Sequence, residues 1–241
     1  MLAALIQSWS HVFVDRPGPA IFNEGHGREP WSSELDISRT VGWFTALSPI
    51  LVTPCEDPTE TVRKVKDFKR RIPGNGRPYF ARRCLTEDGL ERYKTHWPME
   101  ILFNYLGQYQ QLERADALLQ PLDTMAGEYR AAGGTSDFGH VTPRWGLFEI
   151  SAIVFKGRLK FAFTFNRHMR HQDLVQQWVS NCRDTLTSMI HGLAGRAPMP
   201  TLSDFPLLSL TEDRFQAMLS SLKNLAVAPQ EIEDAYPCSN I

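Results

Sequence analysis

The hexapeptide Glu24-Gly25-His26-Gly27-Arg28-Glu29 gathers two carboxylates, an imidazole and a guanidinium within six residues. Two glycines flanking the histidine let a ligand or another backbone approach closely, and a carboxylate beside an imidazole and a guanidinium is a place where pKa values are tuned. A partly desolvated Glu24 could act there as a general base worth roughly 10² to 10⁴ in rate. By spacing alone, a salt-bridged turn is the commoner outcome. Asn104 and Tyr105, just before Leu106-Gly107-Gln108, put an amide and a phenol hydroxyl at the end of an apolar run, where they could donate to an oxyanion or enolate. The commoner fate of such a tyrosine is half-burial in a core. His168 and His171 stand three apart, but a metal needs a third ligand, and the nearest acid, Asp173, opens a helix. Helix caps and strand ends are the ordinary setting for such histidines. The sequence holds no P-loop, no dinucleotide fingerprint and no Gly-x-Ser-x-Gly elbow, so nucleotide hydrolysis and serine hydrolase chemistry lose support.

These residues need a scaffold, and 241 residues with 42% hydrophobic side chains can bury a sizeable core. With 26 Lys and Arg against 27 Asp and Glu the formal charge is -1, so no overall basic field attracts nucleic acid or an anionic membrane. Cys55, Cys84, Cys182 and Cys238 show no CxxC spacing and read as reduced thiols rather than as a zinc or disulfide framework. The apolar start Met1 to Ile6 lacks a basic flank, and no run is long enough to span a bilayer. A cytoplasmic protein with no nucleic acid and no membrane partner is expected.

Leu2, Leu5, Ile6, Trp9 and Phe13 recur at helical spacing before Asp15-Arg16-Pro17-Gly18-Pro19 stops them. A helix that is apolar from Met1 and uncapped reads as the tail of a longer element. Ala20 to Asn23 is a short strand. Arg39 to Thr45 reads as a second strand running on to Pro49 and Ile50-Leu51-Val52, bent at the proline. Asp57-Pro58-Thr59-Glu60 predicts a capped helix to about Arg71, with Val62, Val65, Phe68 and Ile72 inward and a basic face in solvent. Pro73 to Pro78 is a loop, Ile101 to Tyr105 a strand, and Leu112 to Gly139 a loop. Trp145 to Phe155 and Leu159 to Phe165 form a hairpin around Lys156-Gly157. Gln172 to His191 is an amphipathic helix broken by the stretch Gly192 to Pro206. A last helix, capped by Thr211, turns Phe215, Met218, Leu219, Leu222 and Leu225 to one side. The pattern is α/β.

Three segments in order carry a family likeness. Glu24 to Glu29, then Ser38-Arg39-Thr40-Val41-Gly42-Trp43-Phe44-Thr45 with Pro49, then Phe103-Asn104-Tyr105-Leu106-Gly107-Gln108 closely resemble three motifs of nonribosomal peptide synthetase epimerisation domains. The resemblance covers residues 1–205, which look like the C-terminal lobe of such a domain. Residues 206–231 then read as a linker helix, and Glu233 to Ser239 resembles the opening of a condensation domain. The fold implied is a chloramphenicol-acetyltransferase-like lobe, a mixed sheet flanked by helices, incomplete because the N-terminal lobe with its His-His-x-x-x-Asp motif is missing. The loop Pro73 to Phe80 falls where the family has Pro-x-x-Gly-x-Gly-Tyr-Gly, with Pro78 and Phe80 replacing two glycines.

Residue by residue, the resemblance makes Glu24 the acid/base on one face of the substrate α-carbon, with Glu29 the second choice. Asn104 and Tyr105 would line the channel and steady an enolate-like intermediate, while His26, Arg28 and Gln108 would position the reacting groups. The activity implied is that of an isomerase of secondary metabolism, converting an L-aminoacyl or peptidyl thioester to its D form. This chain would bind no cofactor, since the substrate rides on the 4'-phosphopantetheine of a neighbouring carrier domain. Its partners would be that carrier domain, the missing lobe and a downstream condensation domain. Alone, the chain is expected to be inactive and, with an apolar face uncovered, poorly soluble or dimeric. The alternatives are a non-catalytic remnant that docks a carrier, or a fragment of a condensation domain. The latter is disfavoured by Val41-Gly42-Trp43-Phe44-Thr45, which stands where those domains carry a Phe-Val-Asn-type motif.

Overall fold

Alternation of apolar and polar side chains along extended segments puts one buried and one polar face on a single sheet. The computed structural model describes residues 1–29, 32–108, 114, 116, 118 and 143–238. Its strands are β1 (Ile21–Gly25), β2 (Ala46–Ile50), β3 (Met99–Gln108), β4 (Gly146–Phe155) and β5 (Arg158–Phe165), ordered β2-β1-β3-β4-β5. β1 and β4 both run parallel to β3, and β5 runs antiparallel to β4, so the sheet is mixed, as expected. Ile101, Phe103, Phe148, Ile150 and Ala152 share one face and are buried. Phe161, Phe163 and Phe165 oppose Ala152, Ile150 and Phe148 and extend that face across β5. Lys156 and Gly157, at φ 49° and 68°, make the two-residue turn whose twist suits the hairpin.

The chain divides into two compact units, one of Ala20–Pro49 and Arg77–Met169, the other of Met1–Pro19, Ile50–Gly76 and Arg170–Ile241. The first holds the sheet up to Pro49, with helices α3 (Arg77–Leu85) and α4 (Gly89–Arg92). The second contains α1 (Leu2–Val12), α2 (Pro58–Arg71), α5 (Gln172–Ala194) and α6 (Glu212–Asn224). In it, Leu5, Ile6 and Trp9 of α1 are buried with Val175, Trp178 and Cys182 of α5, and the Trp178 indole donates to Leu5 O at 3.3 Å. Buried Thr61 donates to Gln7 Oε1 at 2.7 Å and accepts from Cys55 N–H, while Gln7 Nε2 donates to Cys55 O. This closed polar chain joins α1 to the start of α2. Leu202, Phe205, Phe215 and Leu219 make a further core, with Ile232 and Ala235 packed against it. None of the four cysteines is paired.

Several expectations are corrected. The strand proposed over Arg39 to Thr45 does not form, because the carbonyls of Ile37, Thr40 and Gly42 are taken by the Arg28 guanidinium instead of a ladder. The strand starts at Ala46 and contains Pro49 without a break, because β2 is an edge strand and a missing N–H is tolerated there. The loop Pro73 to Pro78 ends at Gly76. Gly74 and Asn75 take φ near +50°, and Arg77, Pro78 and Phe80 begin α3. A proline in a first turn forfeits no helical bond, so Pro78 starts this helix rather than blocking it. α5 continues through Gly192 to Ala194. Phe68 and Leu225 are exposed, and Thr61 takes the inward place on α2 beside Val65. Most of the loop over Leu112 to Gly139 lies outside the described residues.

The basic face of α2 is not simply solvated. Lys66 donates to Asp204 at 2.6 Å, Arg70 pairs with the same carboxylate, and Arg63 donates to Pro200 O at 2.8 Å. Burial acts to raise the Asp204 pKa, but hydrogen bonds from Lys66, Thr201 N–H and Arg70 outweigh it and hold the carboxyl well below the ordinary range. A carboxyl depressed on folding stabilises fully above its unfolded pKa of about 3.9, and that contribution is lost as pH falls towards the folded value. Asp204→Asn is therefore expected to cost about 1 kcal/mol at pH 7, solvent screening included. In urea melts the gap between variant and wild type should shrink at pH 3, and a gap that stays constant with pH would contradict the assignment.

Candidate functional site

β1 pairs with β3 in the register Ile21 with Ile101, Phe22 with Leu102 and Asn23 with Phe103. One step further, Glu24 reaches the level of Asn104, and strict alternation turns both to the face shared by Phe22 and Leu102. Asn104 opposes Ser151, and Leu102 opposes Glu149. This is the polar face of the sheet. Asn104 lines a cavity of about 350 Å³ together with Leu102, Trp145, Glu149, Ser151 and Thr164.

The carboxylates on this side are not equivalent. Glu149 is paired with Arg144 at 3.2 Å, and Glu100 accepts the Ala20 N–H at 2.7 Å. Glu24 is half-buried at the carboxyl end of β1, and among the described residues its carboxylate has no ion pair and no hydrogen bond. A carboxylate left without a donor retains its capacity to accept a proton from a ligand. Tyr105 alternates to the opposite face, that of Ile101 and Phe103, and is 43% exposed. The register then shifts between Tyr105 and Gln108, with Gly107 at φ 85°, which is a β-bulge. Exposed Gln108 opposes Val154 and so follows Tyr105. The structure thus brings Glu24 and Asn104 to one face and puts Tyr105 and Gln108 on the other.

The rest of the hexapeptide builds a turn. His26 Nδ1 accepts the Arg28 N–H at 3.0 Å, and its Nε2 lies 3.6 Å from the Glu29 carboxylate. The Arg28 guanidinium donates to the carbonyls of Ile37, Thr40 and Gly42 at 3.0 to 3.2 Å and lies 4.6 Å from the centre of the Phe44 ring. Arg77 adds a bond to Glu29 O at 3.0 Å. His26 and Glu29 thus face each other across the turn that spacing alone favours, and Arg28 clamps the 37–42 loop. Sequence reasoning missed the clamp because its acceptors are main-chain carbonyls, which leave no trace in residue type. Gly27 has φ 59°, and a Cβ there would sit 1.7 Å from Phe44 O. His171 precedes α5 in the left-handed conformation, and His168 Nε2 is 3.1 Å from Arg167 Nε. Among the described residues no cluster of three His, Cys, Asp or Glu could hold a metal, and no helix is long and apolar enough to cross a membrane.

No family model matches the chain. It is 49% identical over 244 residues to nonribosomal peptide synthetase 1 of Aspergillus fumigatus, covering 100% of this chain and 4% of that protein. It is 47% identical over 244 residues to nonribosomal peptide synthetase 4 of Gibberella zeae, covering 99% and 3%, and 49% identical over 245 residues to nonribosomal peptide synthetase nlsA of Emericella nidulans, covering 100% and 4%. The chain thus spans a few per cent of the length of these relatives. Among solved structures, the epimerization domain from the third module of tyrocidine synthetase B superposes with a TM-score of 0.64 at 27% identity, over 81% of this chain and 42% of that one.

The turn gives its own test. Gly27→Ala must both strain a positive φ and displace the Phe44 carbonyl, and is expected to destabilise by about 2 kcal/mol or more in urea melts. Arg28→Met frees three largely exposed carbonyls, so a smaller loss of about 1 kcal/mol is expected, with faster proteolysis within 37–42. Equal stability of Gly27→Ala and wild type would show that the tight approach to Phe44 is wrong.

Proposed function

Since the chain is homologous to nonribosomal peptide synthetases from end to end and has the fold of an epimerisation-domain lobe, we propose that it forms the C-terminal lobe of an epimerisation domain and carries one of its two catalytic faces. The observation that carries this reading is the Glu24 carboxylate at the end of β1, which has no donor among the described residues and lies on the same sheet face as Asn104. The α-proton of an aminoacyl or peptidyl thioester is weakly acidic. Inverting its carbon requires a base on one face, a proton donor on the other and stabilisation of the enolate-like oxygen between them.

In this reading Glu24 takes the proton from one face of the L-substrate and a group outside this chain returns one to the opposite face. Carbon configuration inverts with no net change of protons, and running the step backwards restores the L form. The Asn104 amide donates to the developing oxyanion. Tyr105, on the other face of β3, acts as channel wall, while His26, Arg28 and Glu29 hold the turn from which Glu24 emerges. The substrate arrives as a thioester on the phosphopantetheine arm of a carrier domain, and this chain supplies no cofactor. Residues 1–205 form the lobe, 206–231 the linker, and 232–241 open a condensation domain, all within a synthetase that makes D-amino-acid-containing secondary metabolites in the cytoplasm.

A second reading has a specific observation in its favour. Pro78 and Phe80 occupy α3, with the Phe80 ring 6.1 Å from Phe22, where the family resemblance calls for a glycine-rich loop. A lobe so altered could dock a carrier without catalysing.

One experiment separates the two. With the chain joined to an epimerisation-domain N-terminal lobe, exchange of the substrate α-proton with solvent deuterium is expected, and Glu24→Gln should lower it at least about 10²-fold while carrier binding is unchanged. Exchange that survives Glu24→Gln would remove Glu24 from the mechanism, and carrier binding without any exchange in the wild type would select the docking module.

A further inference from the structure

The unit that holds the sheet contains a second cavity, of about 950 Å³, which none of Glu24, Asn104 and Tyr105 lines, although Trp145 borders both this cavity and that of Asn104. The side chains of Phe80, Tyr93 and Trp97 wall it, and Arg77, Arg83 and Lys94 border it. Among the described residues that line it there is no carboxylate. The three cations differ in their partners. Lys94 pairs with Glu91, and Arg77 gives one N–H to Glu29 O. Arg83, near the end of α3, is only 7% exposed. Among the described residues it has one hydrogen bond, a long one of 3.5 Å to the Tyr79 hydroxyl, and one ring contact, 5.1 Å from the centre of Trp97. The Tyr79 hydroxyl is already engaged with His96 Nδ1 at 2.8 Å.

A guanidinium carries five N–H donors, and a charge so far withdrawn from water is held best by an anion, which the Arg83 nitrogens can still meet because none of them is both sealed from solvent and without a partner. Aromatic faces compensate in part, as Trp97 does here, but they satisfy no N–H along the donor directions. We propose that this cavity is a binding site for an amphiphilic anion, a carboxylate or phosphate on an apolar or aromatic body, with the head group on Arg83 and the body against Phe80, Tyr93 and Trp97. The volume falls within the range of small-molecule sites and leaves room for a body well beyond the head group. The site is independent of the epimerase reading, since it uses neither Glu24 nor a second lobe.

The test uses the full 241-residue chain with phenyl phosphate and benzoate as probes and benzyl alcohol as the neutral control. Cys84 lines the cavity and is exposed, so its alkylation by iodoacetamide, mapped by peptide mass, reports occupancy alongside tryptophan fluorescence. At least one anion is expected to slow Cys84 alkylation and shift the fluorescence at concentrations where benzyl alcohol does neither, and the tighter of the two identifies the head group. Arg83→Gln should weaken that anion about 10- to 100-fold, and Arg83→Lys much less, since the charge is retained. Undiminished anion binding in folded Arg83→Gln would overturn the proposal. If that variant does not fold, the wild type decides, because protection of Cys84 by neither anion, or equally by benzyl alcohol, also overturns it.

Discussion

The register of β1 on β3 is the constraint from which the site follows. Parallel strands cannot be joined by a tight turn, and here 73 residues, 26–98, separate the end of β1 from the start of β3. The pairing is pinned at its beginning by two bonds outside the regular ladder, Ile101 N–H to Ala20 O at 3.1 Å and Ala20 N–H to the Glu100 carboxylate at 2.7 Å. A slip of one residue would send Ile21 into the polar face and Glu24 into the apolar one. Burial of Ile21, Ile101 and Phe103 on the same side therefore decides where the carboxylate points. The core and the site are set by one alternation.

What could be read from sequence was whatever depends on near neighbours. The α2 start was legible because Asp57, Pro58 and Glu60 act within one turn, and the Asp57 carboxylate does accept the Thr59 N–H at 2.8 Å. The β4–β5 hairpin was legible because its alternation is regular and its turn holds glycine. The Gln172 helix showed its buried stripe, Val175, Trp178 and Cys182, at helical spacing. The ordered motifs singled out Glu24 and Asn104 as candidates, and the sheet register puts these two on one face.

What could not be read depends on partners far along the chain. Arg39 to Thr45 has the composition of a strand, yet the Arg28 guanidinium takes the carbonyls a ladder would need. The basic face of α2 has the look of a solvated surface, yet Asp204, more than 130 residues away, draws two of its cations. Pro78 suggests a loop, and only its place in a first turn makes it compatible with a helix. The sidedness of Tyr105 is likewise a matter of counting from a buried partner strand rather than of local sequence.

The two borders of the sheet differ in what they offer to other chains. A strand at the rim of a sheet presents unpaired amide and carbonyl groups, a template onto which a foreign strand can add. Among the described residues the rim strands are β2, where Pro49 has no N–H to offer, and β5, where Arg158 and Lys160 put charge on the rim. The proline that failed to end its strand thus acts outward, because it makes the border of the sheet a poor seed for intermolecular β-pairing.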